Sequence, residues 1–167
     1  MILVFVLPLY WIRGYTDGHL AIMPAPRPEN LERAILLWRE EGVDIVVSLL
    51  EQAELPGLVE AENGLCGEIG LEFLWFPIAD GSVPPSIDAF NTLIAKLGDA
   101  VAMGKSVAIH CRAGIGRSAM VAAGVLNYLH VDTGAALDMV AEARKFEVPQ
   151  TEEQRQWILG YRPVRSG

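Results

Sequence analysis

Cysteine is scarce in this chain, with two among 167 residues, which excludes a disulfide-stapled scaffold. Cationic side chains are outnumbered as well: 13 Lys and Arg against 21 Asp and Glu leave a formal charge of −8. A general nucleic-acid binder needs a basic face for counterion release, so that class is excluded. Histidine occurs three times. His19 and His130 have no ligand-spaced neighbours, so no metal site is expected, and no other cofactor. Long apolar runs are also missing. The opening Met1-Ile2-Leu3-Val4-Phe5-Val6-Leu7 has no basic flank, runs into Pro8 and is followed by no small-residue cleavage site. It is far too short to span a bilayer and is expected to be a buried first strand, with no membrane partner. Internal repeats, charge blocks and Ser/Gly-rich linkers are absent. Residues 1–167 are therefore expected to form a single domain, and the 51% of hydrophobic residues supply its core.

What the chain does have is alternation. Residues 2–7 and about 20–23 read as strands, the second ending at Pro24-Ala25-Pro26-Arg27-Pro28. Leu31, Ile35 and Trp38 recur at helical spacing between Asn30 and Glu41, and Gly42 stops that helix. Val43 to Leu49 is a β-branched run expected as a buried strand. A helix over 54–63 should end near Asn63-Gly64, and a strand from Leu71 to Phe76 is broken by Pro77. After Pro84-Pro85 a helix carries Ile87, Phe90, Leu93, Ile94 and Leu97 on one face. A strand at 106–110 and helices at 118–129, 133–145 and 151–160 complete the chain. This order predicts an α/β fold with a central, mostly parallel sheet flanked by helices. A functional site belongs at the carboxyl ends of the central strands.

One stretch joins a nucleophile to an anion cradle: His110-Cys111-Arg112-Ala113-Gly114-Ile115-Gly116-Arg117-Ser118. It links an apolar strand to a helix start, where free backbone N–H groups favour a bound anion. Gly114 and Gly116 let the turn close tightly, and Arg117 offers a planar fork suited to two phosphate oxygens. Arg112, Ala113 and Ile115 contribute backbone amides and the rim. A helix N-terminus and nearby cations lower thiol pKa values, so Cys111 is expected to act as a thiolate. The Ser118 hydroxyl is able to donate to the Cys111 sulfur and also to cap the helix. His110 is expected to support the loop through hydrogen bonds.

Cys111 to Arg117 fits a C-x5-R pattern, and the chain resembles the cysteine-dependent protein tyrosine and dual-specificity phosphatases, near their compact cyclin-dependent kinase inhibitor 3-like branch. The resemblance runs from roughly Gly18 to Trp157 and is specific around Asp80 and the Cys111 loop. It implies hydrolysis of phosphotyrosine in proteins, with phosphoserine and phosphothreonine as further substrates, through a phospho-cysteine intermediate. Ser118 would then stabilise the departing thiolate. Asp80, in the proline-bounded segment Phe76-Pro77-Ile78-Ala79-Asp80-Gly81-Ser82-Val83-Pro84, would be the general acid; its other reading is an Asp-Gly turn. Gln150 and Gln154 resemble a segment that flanks the pocket in the family, while Thr151-x-x-Gln154 is fully explained as a capping box. Cys66, set between Leu65 and Gly67, is expected in a loop with no role; its other reading, which the resemblance implies, is a reversible disulfide with Cys111 as in redox-sensitive relatives. A phosphorylated protein or peptide is the expected partner, with phosphate, sulfate or vanadate able to occupy the loop. A reactive thiol suits a reducing cytoplasm, and a monomer is expected. Two other readings remain: the same chemistry on a small-molecule or RNA phosphate, and a phosphopeptide-binding module without turnover.

Overall fold

In a computed structural model, residues 8–14, 16 and 19–165 are described. Among the described residues, five strands form one sheet in the order β1-β2-β5-β3-β4. They are β1 (Tyr10–Trp11), β2 (Leu20–Met23), β3 (Ile45–Ser48), β4 (Glu72–Trp75) and β5 (Val107–His110). Neighbours from β2 to β4 run parallel, and only the edge strand β1 is antiparallel, with Tyr10 opposite Ile22. The sequence gives no sign of β1, whose two residues are a strand only because β2 offers an edge. The strand expected at 2–7 lies outside the described residues.

β2, β3 and β5 are buried along their whole length. Their side chains alternate between two apolar layers, as the pleat requires. Ile22, Val47 and Ile109 face the layer formed with α3 (Ile87–Ala102), α4 (Arg117–Tyr128), α5 (Thr133–Arg144) and α6 (Glu152–Gly160). Ala21, Val46 and Ala108 face the layer formed with α1 (Leu31–Glu40) and α2 (Leu58–Ile69). The expected α/β architecture is therefore present. Helix α4 leaves the end of the central strand β5 and is buried over nearly all its residues, so its first turn is fixed from every side.

The helix expected at 54–63 is displaced. α2 begins at Leu58 after Gly57, runs through Asn63-Gly64 and ends at Gly70, whose φ of 98° lets its N–H reach Cys66 O. Asn63 and Gly64 sit on the solvent face. Each costs at most about 1 kcal/mol of helix propensity, which the burial of Leu58, Val59 and Cys66 outweighs. Two consequences follow for the site. Glu54 falls in the turn before the helix rather than inside it, and Cys66 is a fully buried helix residue rather than a loop thiol.

Candidate active site

β5 delivers Cys111 to the end of the sheet, and α4 brings Ser118 back over it. Cys111 Sγ lies 3.2 Å from Ser118 Oγ. Both side chains are buried. Between them the loop turns at Gly114 with φ 72°, and a Cβ there would sit 2.7 Å from the backbone of Met23. Only glycine satisfies both demands. Arg112 and Ala113 are exposed, Ile115 is half-buried, and Gly116 is buried. Among the described residues, no hydrogen bond is donated by the backbone N–H of residues 112 to 116.

Arg117 is the largest polar side chain in the interior, 1% exposed. Its Nη1 donates to Glu54 Oε2 at 2.7 Å and to Ile78 O at 2.8 Å, with Leu49 O at 3.5 Å. Its Nη2 donates to Glu54 Oε1 at 2.8 Å and to Asp80 Oδ1 at 3.2 Å. The fork that the sequence assigns to phosphate alone is thus shared with a protein carboxylate. Guanidinium has five N–H donors. Nε–H is the one with no partner among the described residues. Burial works against the Arg117 charge, but Glu54, Cys111 and Asp80 raise its pKa further above the ordinary value.

Burial likewise pushes the Glu54 carboxyl up, yet the hydrogen bonds from Arg117 and the Glu51 N–H, with the charges of Arg117 and Arg112, hold it below its ordinary value of 4.5. A depressed carboxylate contributes stability that is complete above its unfolded pKa and is lost as pH falls through the folded one. Glu54→Gln should therefore lower stability at pH 7 by about 1.5–3 kcal/mol, the range for hydrogen bonds to a charged group. The gap to the parent protein should close on acidification below 4.5. Urea titrations from pH 7 to pH 3 measure both; a gap that stays constant would separate the stabilisation from this ion pair.

Asp80 lies on the loop after β4, its side chain 56% exposed. That loop is tied to the start of α6. Gln154 Nε2 donates to Ser82 O at 3.0 Å, and Thr151 Oγ1 donates to Gly81 O at 3.4 Å. Thr151 and Gln154 also form the expected capping box. Gln154 is buried, and a Cβ on Gly116 would sit 2.9 Å from its Oε1 and 3.0 Å from Gln150 Cβ. Gln150 and Gln154 both flank the Cys111 loop, and Gln154 joins it to the Asp80 loop.

His110 hydrogen-bonds away from the loop. Its Nε2 lies 2.5 and 3.0 Å from the two carboxylate oxygens of Glu62 on α2, and both side chains are fully buried. Burial and the nearby Glu62 push the Cys66 thiol up to about 12, and Cys66 faces the opposite layer of the sheet from Cys111.

Three residues of this region escape sequence reading: Glu54, Glu62 and Arg144. Glu62 carried a signal, since it falls between Leu58 and Cys66 at helical spacing, and a carboxylate on an apolar face demands a partner. Glu54 follows a strand adjacent to β5, at the sheet end where loops converge. Arg144 Nε and Nη2 lie 3.3 and 3.2 Å from Gly114 O and Ala113 O, which no local pattern announces.

Residues 41–162 match the family model described as dual specificity phosphatase, catalytic domain. Among solved structures, the chain is similar to a mutant form of Tk-PTP at 30% identity, over 87% of this chain and 90% of that one, with a TM-score of 0.70. Similarity to kinase associated phosphatase, crystallised with its catalytic cysteine replaced by serine, is 21% over 93% of each chain, with a TM-score of 0.80. PTPMT1 in complex with PI(5)P is similar at 21% identity over 87% of this chain and 91% of that one, with a TM-score of 0.69. No curated protein sequence matches the chain significantly.

Proposed function

Since this chain belongs to the dual-specificity phosphatase family and is a cysteine-based tyrosine/dual-specificity phosphatase, we propose that it hydrolyses phosphotyrosine in proteins, and phosphoserine and phosphothreonine with it, through phospho-Cys111. The Cys111 thiolate attacks phosphorus; an S–P bond forms as the ester P–O bond breaks, and Asp80 gives its proton to the departing oxygen. Water then attacks the phospho-cysteine and loses a proton to Asp80, while Ser118 donates to the sulfur as the S–P bond breaks. The uncommitted loop amides and Arg117 receive the phosphoryl oxygens and bind them most tightly as charge builds in the transition state.

The observation that carries this reading is the contact of Asp80 with Arg117 Nη2 at 3.2 Å. It brings the loop after β4 against the start of α4, although the two are remote in sequence, and this supports reading Asp80 as the acid and Cys111 as the nucleophile. It also supports a way for an arginine already held by Glu54 to take phosphate. The side-on pair Nε–H and Nη2–H is the one it can offer, and Asp80 is the exposed partner free to turn from Nη2 to the leaving oxygen. Glu54 keeps the guanidinium plane fixed meanwhile. In this reading residues 1–167 act as one catalytic unit, monomeric, without a metal and in the cytoplasm. Among the described residues, no helix is long and apolar enough to cross a membrane.

Asp80→Asn tests the assignment through the leaving group. An activated phenol needs little protonation, a tyrosyl phenol needs more, and a serine alcohol needs a full transfer; such assistance is worth roughly 10²–10⁴ in rate. Rates are measured on an activated aryl phosphate, a phosphotyrosine peptide, a phosphoserine peptide and an inositol phosphate. The variant should lose little on the first and progressively more on the peptides. Equal losses across the series would return Asp80 to a turn residue, and a parent protein that favours the inositol phosphate would replace the protein substrate with a small molecule.

A further inference from the structure

Three successive carbonyls of the Cys111 loop are held from outside. Arg112 O accepts from Ala25 N–H at 3.1 Å, Ala113 O from Arg144 Nη2 at 3.2 Å, and Gly114 O from Arg144 Nε at 3.3 Å. Among the described residues the one cis peptide is Val148-Pro149, so these loop peptides are trans. Across a trans peptide the C=O and the following N–H point in opposite directions. Fixing the carbonyls of 112, 113 and 114 therefore turns the N–H groups of Ala113, Gly114 and Ile115 to the other side of the loop, and these are among the donors left uncommitted.

Arg144 is itself held in place. It is the last residue of α5, and its guanidinium lies 4.2 Å over the ring of Tyr10 in β1. An aromatic face attracts the cation without consuming its N–H donors. The planar fork then reaches two successive carbonyls, which a lysine point charge cannot do in fixed geometry.

We propose that Arg144 is a positioning residue for the reaction, aiming the loop amides at the phosphoryl group from behind, with Tyr10 as its platform. The inference rests on the reading of the loop as a phosphoryl cradle. It also gives the two-residue edge strand a task, since β1 supplies the ring on which the arginine lies.

The test compares the parent protein with Arg144→Met, Arg144→Lys and Tyr10→Leu. The binding of inorganic phosphate is measured by calorimetry, and kcat and KM on one aryl phosphate, with and without added guanidinium chloride. Arg144→Met should weaken phosphate binding on the order of tenfold, about one lost charge-assisted contact's worth. It should lower kcat as well as raise KM, because the amides serve the transition state more than the ground state. Low-millimolar guanidinium should restore part of the kcat of Arg144→Met and leave the parent unchanged. Arg144→Lys should recover only part of the loss, and Tyr10→Leu should shift the same parameters in the same direction by less. Lys145→Asn, which removes the neighbouring cation at a left-handed position that asparagine tolerates, should match the parent. Phosphate affinity and kcat/KM within twofold of the parent in Arg144→Met would overturn the proposal, as would a loss that guanidinium does not relieve. Should Arg144→Met not fold, unchanged parameters in both Arg144→Lys and Tyr10→Leu overturn it equally. If the parent protein itself binds no phosphate, the cradle reading fails first.

Discussion

Cys111→Ser should abolish turnover and keep the anion site. Serine keeps the side-chain shape beside Ser118 Oγ with a slightly smaller atom, and the loop is shaped by Gly114, Arg117 and backbone bonds that the exchange does not touch. What disappears is the sulfur nucleophile, because an ordinary hydroxyl is not ionised near neutral pH. Loss of a covalent nucleophile costs on the order of 10⁴–10⁶ in kcat. Phosphate binding should stay close to parent strength, since the exchange leaves the loop backbone and Arg117 in place. Steady-state rates and phosphate calorimetry on the same preparation give both numbers. Residual hydrolysis close to the parent rate would remove Cys111 from the mechanism; loss of phosphate binding would mean that the sulfur, rather than the amides, organises the loop.

Arg117→Lys keeps the charge and should nonetheless lower kcat/KM by about 10²–10³, the range for losing a preorganised transition-state donor. The arginine occupies a slot with carboxylate oxygens of Glu54 at 2.7 and 2.8 Å and Ile78 O at 2.8 Å. An ammonium has three donors radiating from one atom and no plane. It cannot satisfy Glu54 at two points, reach Ile78 O and present two parallel N–H groups to phosphate. Most of the loss should fall in kcat, and stability should fall too, because Glu54 is left half-paired in a nearly buried position. A drop of less than tenfold would mean that Arg117 holds Glu54 and does not grip the transferring group.

The fold was legible where the sequence is locally consistent. A β-branched run gave β3, a short apolar run gave β5, apolar spacing gave α1 and α3, and the capping box fits α6. It failed at α2, where Asn63-Gly64 carries the local signature of a helix end but faces solvent, and tertiary packing decided the matter. The Cys111 loop was readable because its parts are contiguous: cysteine, glycines, arginine and serine lie within one turn and a helix start. The groups that hold it and its flanks were not, because each comes from a different element remote in sequence. Glu54 comes from the turn after β3, Glu62 from α2 and Arg144 from the end of α5. A single chain records which residues are present, and only the folded sheet determines which of them meet.

The enclosed pair of Glu62 and His110 restricts how this protein can change over generations. Either partner replaced alone leaves a hydrogen-bonding group stranded in a dry interior, which is strongly destabilising, whereas exchanging both for apolar groups of the same bulk is often tolerated. The two positions should consequently drift together, with a steep valley between the paired states. His110 precedes Cys111 directly, so in the proposed mechanism a glutamate far from the chemistry inherits the selective pressure on that loop. Lineages that relinquish one of these side chains should be found to have relinquished both.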